Sequence, residues 1–297
     1  MSASLRRLLP CTLALAAALG CALPPAQATS LADIIRRGKL VVGVKKDVPL
    51  WGQLDPASGR IVGLEPDLAQ LVAADLGVAL ELVGVLTAER VDAVTSGRVD
   101  MLIATLSDTP ERRKQMDLVL PHYYSSGVNL LARKSENFRD WADLRNRRIC
   151  GRRGAFYNRP VTVTYGADIV PLYSNEWANA ALREGRCAAL LYDDTAIAAM
   201  LQDPRWATDF AMPLKTIFSA PWAIALAPAE RGGELEQRVS RLVASWHRSG
   251  KLRQLEQAWH IPQTKFLADM NSVWNRKEGS AWFCGDQATP RTPPECL

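Results

Sequence analysis

Short, mainly apolar segments recur along this chain, and helical patterns separate them. The segment 101–105, M-L-I-A-T, has no polar–apolar alternation, which is typical of a strand covered on both faces. Segments 40–44, 79–85 and 188–192 are predicted to be strands as well. Because strands and helices alternate with short connections, we expect an α/β fold in which helices cover mostly parallel sheets.

Polar residues follow the strand at 101–105, where a parallel sheet usually binds its ligands. Thr105 and Ser107 come first, and T-P-E at 109–111 then has the pattern of a helix start with Thr109 as its N-cap. Arg112 lies in the first turn, and a guanidinium binds a carboxylate through two parallel hydrogen bonds. This stretch predicts a carboxylate site. The alternative is that Thr109 only caps a helix and Arg112 is a surface residue.

The N-terminal residues have the pattern of an export signal. Arg6 and Arg7 precede an apolar run at 8–23, and A-Q-A at 26–28 is a small-residue cleavage site. We therefore expect a signal peptide over 1–28 and a periplasmic mature protein; the alternative is lipid attachment through Cys21. No later stretch has the roughly 18 apolar residues of a membrane span.

Composition limits the function classes. With 297 residues and 48% hydrophobic residues, the chain is long enough for one large or two medium globular domains. Its net charge of +5 is scattered in short pairs, so we expect no nucleic-acid partner. With no C-x-x-C and only 3 histidines, we also expect no metal site and no cofactor.

Four cysteines follow the signal: Cys150, Cys187, Cys284 and Cys296. An even number in an exported chain predicts disulfides, for which three connectivities exist. Cys150 ends one predicted strand and Cys187 begins another, so neighbouring parallel strands would bring these two together.

Several motifs resemble those of one family. They are K-L-V-V-G-V-K-K-D-V-P from residue 39, G-R-V-D before the strand at 101, and M-D-L-x-x-P-x-Y-Y-x-x-G after Arg112. Together they resemble the bacterial periplasmic amino-acid-binding proteins, the family-3 extracellular solute-binding proteins of ABC importers. The resemblance extends from Lys39 to Trp259 and fails from Pro262 onward.

This resemblance implies a two-lobed type II periplasmic-binding-protein fold, each lobe a mostly parallel sheet covered by helices. Lobe 1 would comprise 29–122 and 222–261, and lobe 2 would comprise 127–217. Two crossings near 123–126 and 218–221 would join them, and we expect the first to be turn-rich. A tail at 262–297 lies outside the pattern. The resemblance also favours the pair Cys150–Cys187, which leaves Cys284 and Cys296 to tie the tail.

The resemblance also implies ligand contacts. Arg112, with Thr105 and Ser107, would hold the ligand's carboxylate, and Asp193 would accept hydrogen bonds from its ammonium group. Five further residues are candidates for ligand binding. Trp51 would stack on the ligand, Arg152 would lie near the ligand side chain, and Gly154 would offer its backbone N–H. Tyr192, just before Asp193, and Leu64, in a pocket wall, complete the set. The chain departs from the family in the loop at 151–156, which has no hydroxyl residue, and at Leu64, where the family usually has an aromatic.

Each assignment has a simpler alternative. Trp51 would be a core aromatic, Arg152 a solvated loop cation, and Asp193 a helix cap.

The resemblance predicts a monomeric receptor that captures an amino acid between the lobes and delivers it to an ABC permease in the inner membrane. Arg152 and Arg153 favour an acidic ligand side chain, whereas Asp108 favours a basic or polar one, and the balance is toward acidic or polar amino acids. One alternative is a dehydratase of the same fold, with Glu65, Asp108 or Asp194 as general acid. A sensor module for a membrane partner and a purely structural interaction protein are the others. No catalytic residue is predicted under the receptor interpretation.

Overall fold

The computed structural model describes residues 30–297, so the predicted signal peptide and Cys21 lie outside the described residues. The helices are α1 Leu31–Arg37, α2 Leu64–Leu76, α3 Arg90–Thr95, α4 Pro110–Arg113, α5 Asn158–Tyr165, α6 Asn175–Arg183, α7 Asp194–Met200, α8 Pro204–Ala207, α9 Glu234–Ser249, α10 Lys251–Ala258 and α11 Lys265–Trp274. None of the helices within 30–297 is long and apolar enough to cross a membrane.

The strands are β1 Lys39–Lys45, β2 Asp47–Val48, β3 Gly52–Leu54, β4 Ile61–Val62, β5 Ala79–Val85, β6 Met101–Ile103, β7 Asp117–Arg133, β8 Arg148–Arg152, β9 Asp168–Leu172, β10 Ala189–Asp193, β11 Phe210–Ala211, β12 Ile217–Leu226, β13 Lys277–Glu278 and β14 Ala281–Trp282. The main sheet has the order β5-β1-β6-β12-β7-β10-β8-β9. Its two ends are parallel groups: β5, β1 and β6 form the first group, and β10, β8 and β9 form the second. The long strands β7 and β12 lie between the groups and pair antiparallel with each other.

The segment 123–126, predicted as the first connection between the lobes, lies within a strand. The prediction of a turn-rich segment after Pro121 was therefore wrong. β7 continues without interruption through residues 117–133. Its neighbour β12 supplies the backbone partners there, with Tyr124 opposite Trp222 and Ser126 opposite Ala220. Such pairing satisfies the backbone groups of a segment that has turn-like composition. Residues 218–221 likewise lie within β12, where the register shifts between Ile217 and Ala220.

Helix α9 has an apolar stripe at helical spacing, of which only Leu242 is partly exposed. Leu235, Val239, Val243 and Trp246 are all buried, as their helical spacing predicts. Gly250 ends the helix with φ of 71°, a left-handed conformation that glycine adopts without steric cost. The buried face of α9 therefore belongs to the main core.

Both predicted disulfides are present. Cys150 and Cys187 are joined with a Cα–Cα distance of 5.5 Å, and Cys284 and Cys296 with one of 5.8 Å. The second disulfide closes a tail in which α11 packs on α9. Buried Met270 and Trp274 form a small core with that cystine.

Candidate functional site

Residues from both parallel groups line a small enclosed cavity. Five predicted ligand-binding residues meet there: Thr105, Ser107, Arg152, Tyr192 and Asp193. Thr105 and Ser107 follow β6 of the first group, whereas Arg152 ends β8 and Asp193 ends β10 of the second. The cavity measures about 20 Å³, which is near the minimum that one water molecule requires. The structure is therefore a closed arrangement of the two groups.

The backbone of Thr105 is held in an unusual conformation beside this cavity. Its φ is 45°, a left-handed value that is rare for a β-branched residue. The Thr105 N–H donates to Glu65 Oε1 at 2.5 Å, and the hydroxyl of Tyr123 donates to the same oxygen at 2.6 Å. Such a conformation costs on the order of 1–3 kcal/mol and persists only where surrounding contacts impose it. Glu65 thus fixes the backbone at the carboxyl end of β6.

Arg112 and Gly154 do not line this cavity, but a bond between them bridges the two groups. Thr109 caps α4 as predicted, since its Oγ1 accepts from the Arg112 N–H at 3.3 Å. The Arg112 guanidinium donates from Nη1 to Ser107 O at 2.6 Å and from Nη2 to Gly154 O at 3.2 Å. Arg112 is 7% exposed, which rules out the alternative of a solvated surface residue. Together with Gly154, it lines an adjacent groove of about 440 Å³.

Asp193 lines the cavity and does not cap the helix that follows it. It precedes α7, but its side chain makes no capping hydrogen bond. Its Oδ2 accepts from the Tyr157 hydroxyl at 3.2 Å. Burial raises the pKa of Asp193, while the charges of Arg152 and Arg90 oppose that increase. A cationic ligand group would compensate the same buried charge.

Arg152 is buried without a hydrogen-bond partner. It is 1% exposed, so the alternative of a solvated loop cation is wrong. Its Cζ lies 3.1 Å from the ring centroid of Tyr192. None of its three guanidinium nitrogens has a hydrogen-bond acceptor within residues 30–297. Buried donors of this kind are costly unless a ligand or water satisfies them.

Trp51 and Leu64 lie outside the cavity lining, in the core. Trp51 is fully buried and packs edge-on against Tyr124 and Trp222, with ring centroids 4.4 and 4.8 Å away. Leu64 is fully buried at the start of α2. These surroundings fit the alternative interpretation of Trp51 as a core aromatic.

Sequence reasoning missed six residues of the cavity lining: Val48, Thr87, Arg90, Ala155, Phe156 and Tyr157. Arg90 is 4% exposed and donates to Ala104 O at 3.1 Å and Thr105 O at 2.6 Å. The sequence contains a signal for Arg90, because this residue follows the carboxyl end of β5 and begins a helix. Arg112 was predicted from the same kind of position after β6. With Arg90 and Arg152 against Asp193, the lining carries more positive than negative charge.

The three candidate acids of the dehydratase alternative do not line the cavity. Glu65 is fully buried and bonded to Thr105 and Tyr123. Asp108 pairs with Arg113 and with His122, the latter at 2.7 Å. Asp194 Oδ1 accepts from Ser126 Oγ and the Gly127 N–H, at 2.8 and 2.9 Å. All three carboxyl groups thus have structural partners.

Comparison with known proteins identifies the class. The model of the bacterial extracellular solute-binding proteins, family 3, matches residues 40–262, which is most of the chain. The chain belongs to this family, as the motifs around Arg112 predicted. The matched region begins in β1 and ends just after α10, so the tail with Cys284–Cys296 lies outside it.

Individual relatives have low sequence identity to this chain but match it over more than half of its length. The chain is 28% identical over 183 residues to a glutamine-binding protein of Geobacillus stearothermophilus, covering 60% of this chain and 70% of the relative. It is 23% identical over 235 residues to an ABC transporter glutamine-binding protein of Bacillus subtilis (strain 168), covering 77% and 84%. Among solved structures, a cysteine-binding protein from Campylobacter jejuni matches with a TM-score of 0.73 at 24% identity, covering 80% of this chain and 97% of that one. The predicted two-lobed type II periplasmic-binding-protein fold is confirmed.

Proposed function

We propose that this protein is a periplasmic receptor that captures an amino acid between two lobes and delivers it to an ABC import permease. The observation that carries the proposal is the meeting of Arg152, Asp193 and Thr105 at one cavity, contributed by the two parallel groups. An amino acid has an anionic and a cationic group, and the cavity edge offers guanidinium groups and a buried carboxylate to match them. The named relatives, which bind glutamine or cysteine, support this ligand class.

In this proposal, each lobe contains one of the two parallel groups of strands. Lobe 1 comprises 29–122 plus 222–261, and lobe 2 comprises 127–217. Arg112, Thr105 and Ser107 would hold the carboxylate from lobe 1, and Asp193 would hold the ammonium group from lobe 2. Since neither lobe satisfies both ends of the ligand, binding favours the closed form through differential affinity.

The charge of the cavity favours an acidic or polar side chain. Arg152 is buried with three nitrogens that lack acceptors in the described part of the chain. A side-chain carboxylate or amide oxygen would satisfy one or two of these donors. In the sequence, Asp108 favoured a basic or polar ligand side chain, but its carboxylate is paired with Arg113 and His122. We therefore favour an acidic amino acid over a basic one.

Ligand entry requires the lobes to separate. A cavity of about 20 Å³ holds no more than a water molecule. The receptor would therefore bind its ligand in an open form and close over it, as hinged binding proteins do.

The test is a thermal-shift screen of the purified mature protein against the twenty amino acids, with calorimetry on each hit. A ligand at 100 times its Kd stabilises by about 2.7 kcal/mol, a readily measured shift. Arg112→Ala and Asp193→Ala should abolish the hit, because each leaves one buried ligand charge unpaired. The controls Arg139→Ala and Asp209→Ala remove the same charges at exposed positions and should keep it. No shift with any amino acid would contradict the proposal.

A further inference from the structure

Tyr157 supplies a hydroxyl to the cavity where the preceding loop has none. The loop at 151–156, G-R-R-G-A-F, lacks serine and threonine. The next residue, Tyr157, is 3% exposed and lines the cavity. Its hydroxyl lies 3.2 Å from Asp193 Oδ2. The hydroxyl and the carboxylate therefore form one polar group on the lobe 2 side.

The position of Tyr157 is fixed by its surroundings. Its backbone carbonyl accepts from the Val161 N–H at 3.0 Å in the first turn of α5. Its ring packs edge-on against Phe156, with centroids 5.2 Å apart, and lies in a core cluster with Ile149 and Val161. A side chain held in this way loses little further freedom when a ligand binds.

The chemistry of this pair suits a cation. A phenol donates one hydrogen bond and also has lone pairs that accept. When its hydrogen points to Asp193, the lone pairs of Tyr157 remain for a second donor. Burial and the charge of Asp193 raise the pKa of Tyr157 well above its ordinary value, so the hydroxyl keeps its proton. An ammonium group has three donors and no acceptor, which complements two adjacent acceptors.

We propose that Tyr157 is a specificity-determining residue whose hydroxyl, held by Asp193, is a second acceptor for the ligand's ammonium group. It would select amino acids over acids of the same skeleton that lack the amino group. This inference rests on the proposed function, since it assumes an amino-acid ligand.

The test compares matched ligand pairs by calorimetry: L-glutamate with glutarate, L-aspartate with succinate, and L-glutamine with glutaramate. Tyr157→Phe keeps the ring and removes only the hydroxyl. A hydrogen bond to a charged group corresponds to roughly a 10- to 100-fold change in affinity. We expect a loss in that range for the amino acid of the pair and a change below about twofold for its counterpart without the amino group. Tyr165→Phe, at the other end of α5, is the control and should alter neither.

The outcomes separate the two proposals. Equal losses for both members of a pair, or no loss at all, would overturn the role of Tyr157 while the receptor function stands. If the unmodified protein binds none of the amino acids, the receptor function fails, and the role of Tyr157 fails with it. A loss confined to the amino acid, with an unchanged melting temperature of the ligand-free variant, supports the assignment.

Discussion

The backbone N–H of Asn175 donates a hydrogen bond to Asp47 Oδ2 at 3.0 Å. This bond joins α6 of the proposed lobe 2 to β2 of the proposed lobe 1. The Asn175 side chain adds two further bonds, to Asp47 O and to the Tyr192 hydroxyl. On the other side of Asp47, the buried Lys45 ammonium lies 2.9 Å from Oδ1. The two bonds between Asn175 and Asp47 connect the two proposed lobes. The closed form is therefore stabilised partly by the protein's own residues.

Asn175→Ala should weaken closure. The variant loses the side-chain bond to Asp47 O, which joins the lobes, and the one to Tyr192 within lobe 2; each contributes roughly 0.5–1.5 kcal/mol. We expect the ligand-free variant to have a larger radius of gyration in small-angle X-ray scattering, and its ligand to dissociate faster. Glu176→Ala alters the next residue of the same helix turn, which faces solvent, and serves as the control. Identical scattering of the Asn175 variant and the unmodified protein would show that these bonds do not set the equilibrium.

Arg112→Lys should reduce ligand affinity although the charge is kept. An ammonium group cannot reproduce the planar fork that reaches Ser107 O and Gly154 O. We expect Kd to rise by about 10- to 100-fold, the equivalent of about 1.4–2.8 kcal/mol. Calorimetry measures this loss, and Arg113→Lys at the neighbouring, more exposed position should change Kd little. A Kd unchanged by Arg112→Lys would mean that this guanidinium acts only as a charge.

The fold was predictable where local sequence decides the structure. The apolar runs that became β6 and β10 and the stripe of α9 each depend on patterns within a few residues. The first crossing was not predictable in this way. Its extended form depends on pairing between Tyr124 and Trp222, which are far apart in sequence. Composition alone favoured a turn there.

The cavity lining was predictable where position along a strand decides which residues meet. Thr105 was predicted because it follows a parallel strand at its carboxyl end, whereas Asp193 was predicted from the family resemblance. Tyr157 was missed because the role we propose for it depends on the distance of its hydroxyl from Asp193, which no motif encodes. Trp51 shows the opposite problem, since a loop aromatic is equally consistent with a ligand contact and with the buried cluster it forms.

Arg152→Met should have opposite effects on stability and on binding. The substitution removes a buried charge that has no acceptor and keeps much of its volume beside Tyr192. We expect the ligand-free protein to gain about 1–3 kcal/mol in free energy of unfolding, measured with urea, because buried donors without acceptors are removed. An acidic ligand should lose most of its affinity. Arg153→Met, at an exposed position, should change neither quantity. A less stable variant would mean that the attraction of Arg152 to Asp193 and to the Tyr192 ring outweighs the cost of its missing hydrogen bonds.

Removing the two disulfides should destabilise the protein to different extents. Cys150 and Cys187 are separated by 37 residues, and Cys284 and Cys296 by 12. In the chain-entropy model the first crosslink contributes about 4 kcal/mol and the second about 3 kcal/mol. We expect the variant with both Cys150 and Cys187 changed to Ala to unfold at a lower urea concentration than the variant with Cys284 and Cys296 changed to Ala. A larger loss from the tail pair would indicate that packing of α11 depends on its crosslink.

Glu65 should make stability depend on pH in a specific window. Burial raises its pKa from 4.5 to about 8, against the bonds from Tyr123 and Thr105 and the charges of Lys45 and Arg90. The folded state therefore keeps a proton that the unfolded state has released between these two values. Since the folded state binds more protons in this window, the free energy of unfolding falls as pH rises from about 4.5 to about 8. The slope from one such group is at most about 1.4 kcal/mol per pH unit.

Glu65→Gln should remove this dependence. Glutamine keeps an oxygen that accepts from the Thr105 N–H and from Tyr123, but it does not titrate. We expect the difference in free energy of unfolding between the variant and the unmodified protein to move in favour of the variant as pH rises through this window, measured by urea titration. Glu278→Gln, at an exposed position, should show a constant difference. If the difference for Glu65→Gln is also constant with pH, then Glu65 does not hold a proton in the folded state, and its bonds to Thr105 and Tyr123 are made by a carboxylate.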